Sequence, residues 1–262
     1  MVDGLQGGLL EVRGLAKSFG GVQAVVDCTM TVPKGGVVGL IGPNGAGKTT
    51  AIDLISGFRA PDAGTIRFDG QEIQKWPAHR VSSIGLMRTF QSPREWPGIT
   101  VIENMIAAAP QGGRDVVWRA LLSRRQLANA EDADRSQARS MLEQFGLTPL
   151  KNELAGNLSA GQKRLLAFAR IAMSGARFVL LDEPLAGVNP VLQQRIFEAI
   201  RTLNDNGVTC LLVEHNLPWV ERTCDLIYVM SLGRTIASGT MAELRANPGV
   251  VDAYLGEVEV DA

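Results

Sequence analysis

The chain contains no apolar run that approaches the roughly 18 residues a membrane-spanning helix needs, so no membrane span is predicted. Residues 1–10 also lack the basic segment followed by an apolar stretch that is typical of a secretory leader. We therefore expect the protein to be made in the cytoplasm and to stay there.

Neither sign of charge predominates, because 26 Lys and Arg side chains are set against 27 Asp and Glu side chains. A protein that binds a nucleic-acid backbone or an anionic membrane through its overall field carries a large positive excess. Nucleic acid is therefore not an expected partner. Cysteine is also scarce: Cys28, Cys210 and Cys224 are odd in number, far apart and set among apolar residues. We interpret them as small hydrophobic residues in a reducing compartment, with no disulfide framework.

What remains is the composition of an ordinary globular protein, with 45% hydrophobic and 20% charged residues in 262 and no internal repeat. Short apolar runs between Leu9 and Val32 are broken by Gly20-Gly21, and residues 64–73 are typical of a hairpin around Asp69-Gly70. These segments predict a small antiparallel layer.

A strand, a glycine-rich loop and a helix follow one another near residue 40. The apolar run Val37–Ile41 precedes Gly42-Pro43-Asn44-Gly45-Ala46-Gly47-Lys48-Thr49-Thr50, which matches the G-x-x-x-x-G-K-[ST] pattern, and a helix closed by Gly57 follows. Glycine N–H groups, a helix N-terminus and a lysine attract phosphate, and the Thr49 hydroxyl can bind Mg²⁺. A chance glycine-rich turn would match the bare pattern in about one or two per cent of chains this long. The flanking strand and helix favour nucleotide binding.

The middle of the chain, residues 100–156, is rich in helix-forming residues. Thr100 and Glu103 have the spacing of a capping box. The predicted helices cover residues 101–109, 116–127 and 130–145.

After Gly175 the pattern changes to strand, helix, strand, which predicts a parallel-sheet unit. The segments are 178–181, 191–203 and 209–213, and one more strand is expected at 226–230 before a tail of short helices. Asn189 is placed to cap the helix, and Pro190 stands in its first turn.

The apolar strand Phe178–Leu181 runs into Asp182 and Glu183. Alone, such a pair is more often a solvated turn than a site. Beside a phosphate loop the balance reverses, because magnesium takes a carboxylate in its outer shell and hydrolysis needs a base for the attacking water. Asp182 fits the first role and Glu183 the second.

Leu158-Ser159-Ala160-Gly161-Gln162 precedes another apolar helix. Taken alone, the segment is interpreted as a serine N-cap in preference to a site. It is also a second helix N-terminus able to bind an anion.

The phosphate loop, Gln91, the Leu-Ser-Ala-Gly-Gln segment, the Asp182-Glu183 pair and His215, in this order, resemble the ATP-binding cassette of ATP-binding-cassette (ABC) transporters. The resemblance covers nearly the whole chain. It implies a dimer in which Ser159 and Gly161 of one subunit close over the γ-phosphate held by Lys48 of the other.

The same resemblance assigns Gln91 to the magnesium ion, to the attacking water and to communication with membrane subunits, and His215 to the γ-phosphate. Glu183, His215 and Gln91 are then the catalytic residues, and Thr49, Gln91 and Asp182 the magnesium residues. The residues expected to contact ATP are Phe19, Val25, Gly42, Asn44, Gly45, Ala46, Gly47, Lys48, Thr49, Thr50, Ser159, Gly161 and Gln162.

Three positions depart from the common family pattern. Phe19 stands where many members have a tyrosine that stacks on adenine, and its ring can still stack. Ala160 replaces a glycine in the signature segment. Asn189 replaces a terminal aspartate, which leaves the coupling between the two ATP sites open.

Within the family, Met87–Gln91, Ala186–Pro190 and Ala253–Glu257 look most like the ATPases of branched-chain amino acid importers, with lipopolysaccharide-export ATPases as the alternative. The implied partners are a second ATPase subunit, identical or a sister chain, transmembrane permeases and, indirectly, a solute-binding protein. The implied location is the inner face of the cell membrane. Arginines between residues 119 and 139 alternate with acids and amides, which indicates a solvated helical face or contact with the membrane partner.

The expected architecture is an α/β P-loop NTPase fold, with a RecA-like mainly parallel sheet, an antiparallel β layer and a helical subdomain. Residues 1–87 and 175–262 would form the nucleotide-binding core, and residues 88–174 the helical subdomain carrying the signature segment. Two other classes stay open. A GTPase or P-loop kinase would share the phosphate loop, although no Asn-Lys-x-Asp segment is present. A non-transport ABC protein of DNA repair or translation would usually add coiled-coil arms or a tandem cassette.

Overall fold

The computed structural model of the protein describes residues 7–89, 95–110 and 124–255. The chain divides into two compact units. The first comprises residues 1–91, 178–186 and 209–262, and the second comprises residues 92–177 and 187–208. This division differs from the one expected from the sequence, which assigned residues 187–208 to the nucleotide-binding core.

The first unit contains a single mixed sheet, formed by ten strands in the described residues. The strands are β1 Leu10–Phe19, β2 Val22–Val32, β3 Val37–Ile41, β4 Ala63–Phe68, β5 Gln71–Glu72, β6 Leu86–Arg88, β7 Phe178–Asp182, β8 Thr209–Val213, β9 Leu226–Ser231 and β10 Arg234–Gly239. Their order across the sheet is β5-β4-β1-β2-β10-β9-β3-β8-β7-β6.

The parallel half of the sheet consists of β9, β3, β8, β7 and β6. Every residue of β3, β7 and β8 is buried, which explains their mostly apolar sequences. Leu40 and Asp182 both pair with Val213 of β8. The segments that follow these three strands therefore leave the sheet side by side at one edge.

The antiparallel half confirms the layer predicted from the sequence. β1 pairs with β2 and β4, and β4 turns into β5 through Asp69-Gly70. The two halves meet where Arg234 of β10 pairs with Asp27 of β2.

The sequence prediction of one strand near residue 226 was incomplete, because β10 returns antiparallel to β9. The turn between them places Leu232 at φ 47° and Gly233 at φ 76°. A two-residue hairpin turn of this type requires positive φ at both positions, and asparagine followed by glycine is the usual sequence. Here leucine, which rarely adopts positive φ, takes the first position, so the sequence carries no recognisable turn signal.

Eight helices are labelled here in chain order among the described residues. They are α1 Lys48–Ile55, α2 Ala78–Ser83, α3 Val101–Ala108, α4 Arg124–Gln144, α5 Ala160–Met173, α6 Pro190–Asp205, α7 Leu217–Thr223 and α8 Met241–Arg245. None of the helices in these described ranges has the length and apolar character needed to cross a bilayer.

Helices α3 to α6 lie in the second unit. The capping box of Thr100 and Glu103 and the Asn189 cap are both confirmed. Helix α4 begins at Arg124 rather than at 130, and the helix predicted at 116–127 lies mostly outside the described residues. Helix α6 packs against α5, which is why residues 187–208 belong to this unit.

The first unit contains a strand, β6, and a helix, α2, that were not predicted from the sequence. His79 lies in α2. Both elements are short, and α2 has a single buried residue, Val81, so no helical or strand periodicity could develop.

Gly64 and Gly70 provide a test of backbone packing in the antiparallel half. Both have positive φ, 92° and 77°. A Cβ at Gly64 would lie 2.4 Å from the Gly14 oxygen and 2.6 Å from the Leu15 Cα, whereas a Cβ at Gly70 meets nothing within 4 Å. We expect Gly64→Ala to lower the free energy of unfolding by about 2 kcal/mol or more beyond the loss in Gly70→Ala. Urea unfolding measures both, and equal losses would contradict the close packing of β4 on β1.

Candidate nucleotide site

Two positions of the loop between β3 and α1 have room only for glycine. Gly42 and Gly47 have φ values of 154° and 95°. A Cβ at Gly42 would lie 2.1 Å from the Met230 oxygen, and one at Gly47 would lie 2.4 Å from the Ala24 oxygen. Any side chain at these positions would displace neighbouring backbone. The glycines of the motif are therefore explained by the space available as well as by conformation.

Lys48 is the first residue of α1 and is only 8% exposed. Its ammonium donates hydrogen bonds to the carbonyl oxygens of Gly42, at 2.7 Å, and Pro43, at 2.9 Å. Burial lowers the pKa of Lys48, and the negative charges of Glu183 and Asp182 oppose that shift. The Lys48 ammonium is thus held against the backbone of the loop, in a position to bind a phosphate group.

The N-terminus of α1 adds positive potential to the same loop. The first turn contains no acidic residue, and no side chain caps it. Unsatisfied N–H groups at a helix N-terminus favour an anion. Thr49, the next residue, is exposed, so its hydroxyl is available to a metal ion or a phosphate.

Strand β7 brings two carboxylates to the same edge of the sheet. Asp182 is its last residue and is 8% exposed. Glu183 adopts a left-handed backbone with φ 46°, and its N–H donates to the Val213 oxygen at 3.0 Å. A left-handed glutamate is a strained conformation, of the kind that clusters at functional sites.

A third carboxylate at this edge, Glu214, was not identified from the sequence. It follows β8 and is 1% exposed. Its two oxygens accept the N–H groups of Leu185, at 2.9 Å, and of His215, at 3.2 Å. Burial raises its pKa, the two backbone hydrogen bonds and the nearby His215 lower it, and the charge of Glu183 raises it. Glu214 thus ties the turn after Glu183 to the turn that carries His215. The sequence signal was an acid directly after a mostly apolar strand.

Arg88 was also missed, although it stands three residues before Gln91. From the end of β6 its guanidinium forms ion pairs with Asp182, at 3.0 Å, and with Asp53 of α1. Asp53 also pairs with Arg59, at 3.2 Å. The guanidinium of Arg59 lies 5.0 Å from the centre of the Phe19 ring.

Phe19, expected to stack on adenine, ends β1 and is 38% exposed. Lys17 lies 5.7 Å from its ring centre, on the same strand. Val25 is buried next to Gly47, where a Cβ would lie 3.4 Å from its Cγ2 atom. The Phe19 ring is therefore partly accessible to a ligand. Val25 packs against the phosphate loop at Gly47.

The signature segment begins α5 in the second unit. The Ser159 hydroxyl accepts the N–H of Gln162 at 3.3 Å, and the Gln162 side chain accepts the N–H of Ser159 at 2.8 Å. This reciprocal capping box was expected only as a serine cap. A Cβ on Gly161 would lie 3.0 Å from a Leu192 methyl group, so α6 limits the size of this position. Gln162 uses its side chain to cap the helix.

The residues predicted for the site are thus divided between the units. Phe19, the phosphate loop, Asp182, Glu183 and His215 lie in the first unit, and the signature residues lie in the second. The His215 side chain is 66% exposed. Gln91 lies outside the described residues.

The residues present fit a magnesium ion held mainly by its nucleotide. Mg²⁺ prefers hard oxygen ligands and usually takes one or two carboxylates together with phosphates and waters. Asp182 and the Thr49 hydroxyl provide such oxygens. Among the residues that the structure describes, no group of three or more His, Cys, Asp or Glu side chains is placed to hold a metal ion.

A parallel sheet with this loop after one strand and carboxylates after a neighbouring strand defines a P-loop nucleoside triphosphatase fold. Residues 25–186, more than half of the chain, match the family model described as ABC transporter. Residues 234–260 match the model described as branched-chain amino acid ATP-binding cassette transporter. The chain belongs to the ATP-binding proteins of the ABC transporter family.

Curated relatives narrow the family to one branch. The chain is 40% identical over 248 residues to the probable branched-chain amino acid transport ATP-binding protein LivG of Archaeoglobus fulgidus, covering 95% of each chain. It is 39% identical over 250 residues to the high-affinity branched-chain amino acid transport ATP-binding protein BraF of Pseudomonas aeruginosa, covering 95% of this chain and 98% of that one.

Solved structures show the same fold. One is the ADP conformation of an ATP-binding cassette of an ABC transporter, with a TM-score of 0.77 and 32% identity. The match covers 95% of this chain and 98% of that chain. The expected fold class is confirmed.

The buried Glu214 predicts a pH dependence of stability. Because its pKa is raised, the folded protein holds this proton to higher pH than the unfolded chain, and the associated stability is lost as the pH rises above about 4.5. Gln at this position cannot ionise. We therefore expect the free energy of unfolding of the wild type, relative to that of Glu214→Gln, to be lower at about pH 8 than at about pH 5.

Glu72→Gln is the matched control. Glu72 is exposed, and the hydrogen bond from Arg67 lowers its pKa. Its contribution to stability is present above its unfolded pKa and is lost only as the pH falls, so no trend is expected over the same range. Denaturant unfolding at both pH values measures the differences, and a difference between the wild type and Glu214→Gln that stays constant with pH would contradict the raised pKa.

Proposed function

We propose that this chain binds and hydrolyses ATP and that the hydrolysis drives transport by membrane subunits. The observation that carries the proposal is the register of β3, β8 and β7, which sets the Lys48 loop beside Asp182 and Glu183 at one sheet edge. A cation held in a glycine loop next to a base and a metal carboxylate is the arrangement that phosphoryl transfer to water requires.

In this proposal the residues at the edge divide the work. Lys48 and the loop N–H groups bind the outer phosphates, Thr49 and Asp182 hold Mg²⁺, and Glu183 takes a proton from the attacking water. Bound Mg²⁺ neutralises charge on the phosphates. Gln91 and His215 would position the water and the γ-phosphate, and Phe19 would stack on the adenine.

A second subunit completes the site. Ser159 is exposed at the N-terminus of α5, where its hydroxyl and the helix N–H groups favour an anion. We infer that Ser159 and Gly161 of one chain cover the γ-phosphate bound to the other. The second chain is an identical copy or a sister ATPase.

The transported solute is inferred from the branch to which the chain belongs. The named relatives are branched-chain amino acid transport proteins, and the match at residues 234–260 favours this branch over the lipopolysaccharide-export ATPases. We propose an importer of branched-chain amino acids, in which this chain works at the inner face of the membrane with permease subunits and receives solute indirectly from a binding protein.

Glu183→Gln tests the hydrolytic role. The amide is nearly isosteric but cannot accept the proton of the attacking water, so we expect hydrolysis to fall by about 100-fold or more while ATP still binds. ATP-loaded variant should then accumulate as a dimer, measured by light scattering after gel filtration. Exposed Glu198 of α6 provides the control variant Glu198→Gln, which should hydrolyse ATP like the wild type. Rapid turnover by Glu183→Gln would remove Glu183 from the role of base.

Uptake of radiolabelled leucine tests the solute. Vesicles that contain the assembled transporter with ATP inside should take up leucine with its binding protein present, and unlabelled isoleucine or valine should compete. Vesicles whose transporter carries Glu183→Gln should not take up leucine. If ATP is hydrolysed normally but leucine uptake is absent, the assignment of the solute is wrong and the ATPase assignment stands.

A further inference from the structure

We propose that Arg88 is a positioning residue for the carboxylate of Asp182, and that Asp53 is the counter-charge that balances Arg88. The inference rests on the proposed function, because it takes Asp182 as the carboxylate that faces Mg²⁺. It gives a role to Arg88 and Asp53, which belong to neither the phosphate-loop motif nor the Asp182-Glu183 pair.

The geometry is a single guanidinium divided between two carboxylates on different elements. One terminal nitrogen of Arg88 contacts Oδ2 of Asp182 at 3.0 Å, and the other contacts Oδ1 of Asp53. Arg88 is held in place by its strand, because it pairs with Leu180 of β7 in parallel register. Each end of the guanidinium is therefore committed to a different partner.

These ion pairs are shielded from water, unlike ordinary surface pairs. The side chains of Arg88, Asp182 and Asp53 are 12%, 9% and 21% exposed. The Nε of Arg88 is buried and has no hydrogen-bond partner within the described part of the chain. Partly buried charges interact more strongly than exposed ones, and breaking one pair leaves the remaining charge uncompensated.

For Asp182 the consequence is a fixed orientation. Arg88 engages Oδ2, and no described residue forms a hydrogen bond to Oδ1. A planar guanidinium defines direction better than an ammonium group does. Oδ1 is thereby left for the metal or one of its waters.

The counter-charge solves an electrostatic problem. A cation beside Asp182 would cancel its charge and repel Mg²⁺ unless a second anion balanced it. Asp53 does so, and the formal charges of Arg88 and Asp53 sum to zero. Arg59 also pairs with Asp53, but its side chain is 52% exposed, so water screens its contribution.

The alternative is that Arg88 merely links α1 to β7. A purely structural link would affect folding stability without changing how strongly Mg²⁺ promotes nucleotide binding. The deciding quantity is therefore the ratio of nucleotide affinities with saturating Mg²⁺ and with a chelator, here called the magnesium enhancement.

The experiment measures this ratio by calorimetry with adenylyl imidodiphosphate, a non-hydrolysable ATP analogue, on the folded full-length chain. Asp53→Asn leaves Arg88 unbalanced, so the magnesium enhancement should fall by about fivefold to tenfold, because the extra positive charge repels Mg²⁺ but not the metal-free nucleotide. Arg88→Gln in the Asp53→Asn chain removes the unbalanced cation, so the double-mutant cycle should recover part of the enhancement but not the wild-type value, because Asp182 has then lost its positioning partner.

Arg67→Gln and Glu72→Gln are the matched controls. They form an exposed pair at 2.9 Å, and neither variant should change the enhancement. If Arg88→Gln chains do not fold, Asp53→Asn alone and Arg88→Lys carry the test; an ammonium lacks the planar fork that engages two carboxylates in fixed directions, so Arg88→Lys should also lower the enhancement.

The outcomes separate the two claims. A wild-type chain that binds no adenine nucleotide would overturn the proposed function. A wild-type chain with clear magnesium enhancement, unchanged in Asp53→Asn, would overturn the role of Arg88 and Asp53 alone. Loss of enhancement in Asp53→Asn with no recovery in the double variant would overturn the role of Asp53 as counter-charge, and full recovery to the wild-type enhancement would overturn the positioning role of Arg88.

Discussion

The parallel pairing of β8 with both β3 and β7 is the constraint on which the rest of the nucleotide site depends. Val213 pairs with Leu40 on one side and with Asp182 on the other, so three chain segments leave the sheet at one level. The phosphate loop, the Asp182-Glu183 pair and the Glu214-His215 pair are those segments. A shift of one residue in either pairing would turn every side chain of the strand to the opposite face and separate these groups.

This edge of the sheet carries several ionisable side chains that are shielded from water, and each of the buried ones has a partner. Lys48 binds loop carbonyl oxygens, Asp182 pairs with Arg88, and Glu214 accepts two backbone N–H groups. Such fixed partners hold the groups in place before substrate arrives, which reduces the reorganisation required during reaction. The left-handed Glu183 fits this picture, because its strained turn is held from both sides, by the Val213 oxygen and by the Glu214 hydrogen bond to Leu185.

Sequence reasoning found the segments whose chemistry is local and missed those whose partners are distant. The phosphate loop and the Asn189 cap are contiguous patterns, and both were correctly placed. Arg88 and Asp53 are 35 residues apart, and Arg88 and Asp182 are 94 apart, so no spacing rule could join them. Strand β10 was not predicted for a local reason, because the turn between β9 and β10 has a leucine at positive φ instead of a typical turn residue. The placement of α6 with α5 depended on packing that periodicity does not encode.

The capping box at Ser159 bears directly on how a second chain could complete the site. A serine hydroxyl has one O–H donor and two acceptor lone pairs. Ser159 uses acceptor capacity for the N–H of Gln162, so its own hydrogen is still available to a phosphate oxygen. The hydrogen bond also holds the hydroxyl at the helix N-terminus, where the α5 dipole and free N–H groups favour the same anion. Capping and γ-phosphate recognition are therefore compatible uses of one side chain, and the preference for a simple cap did not exclude the second role.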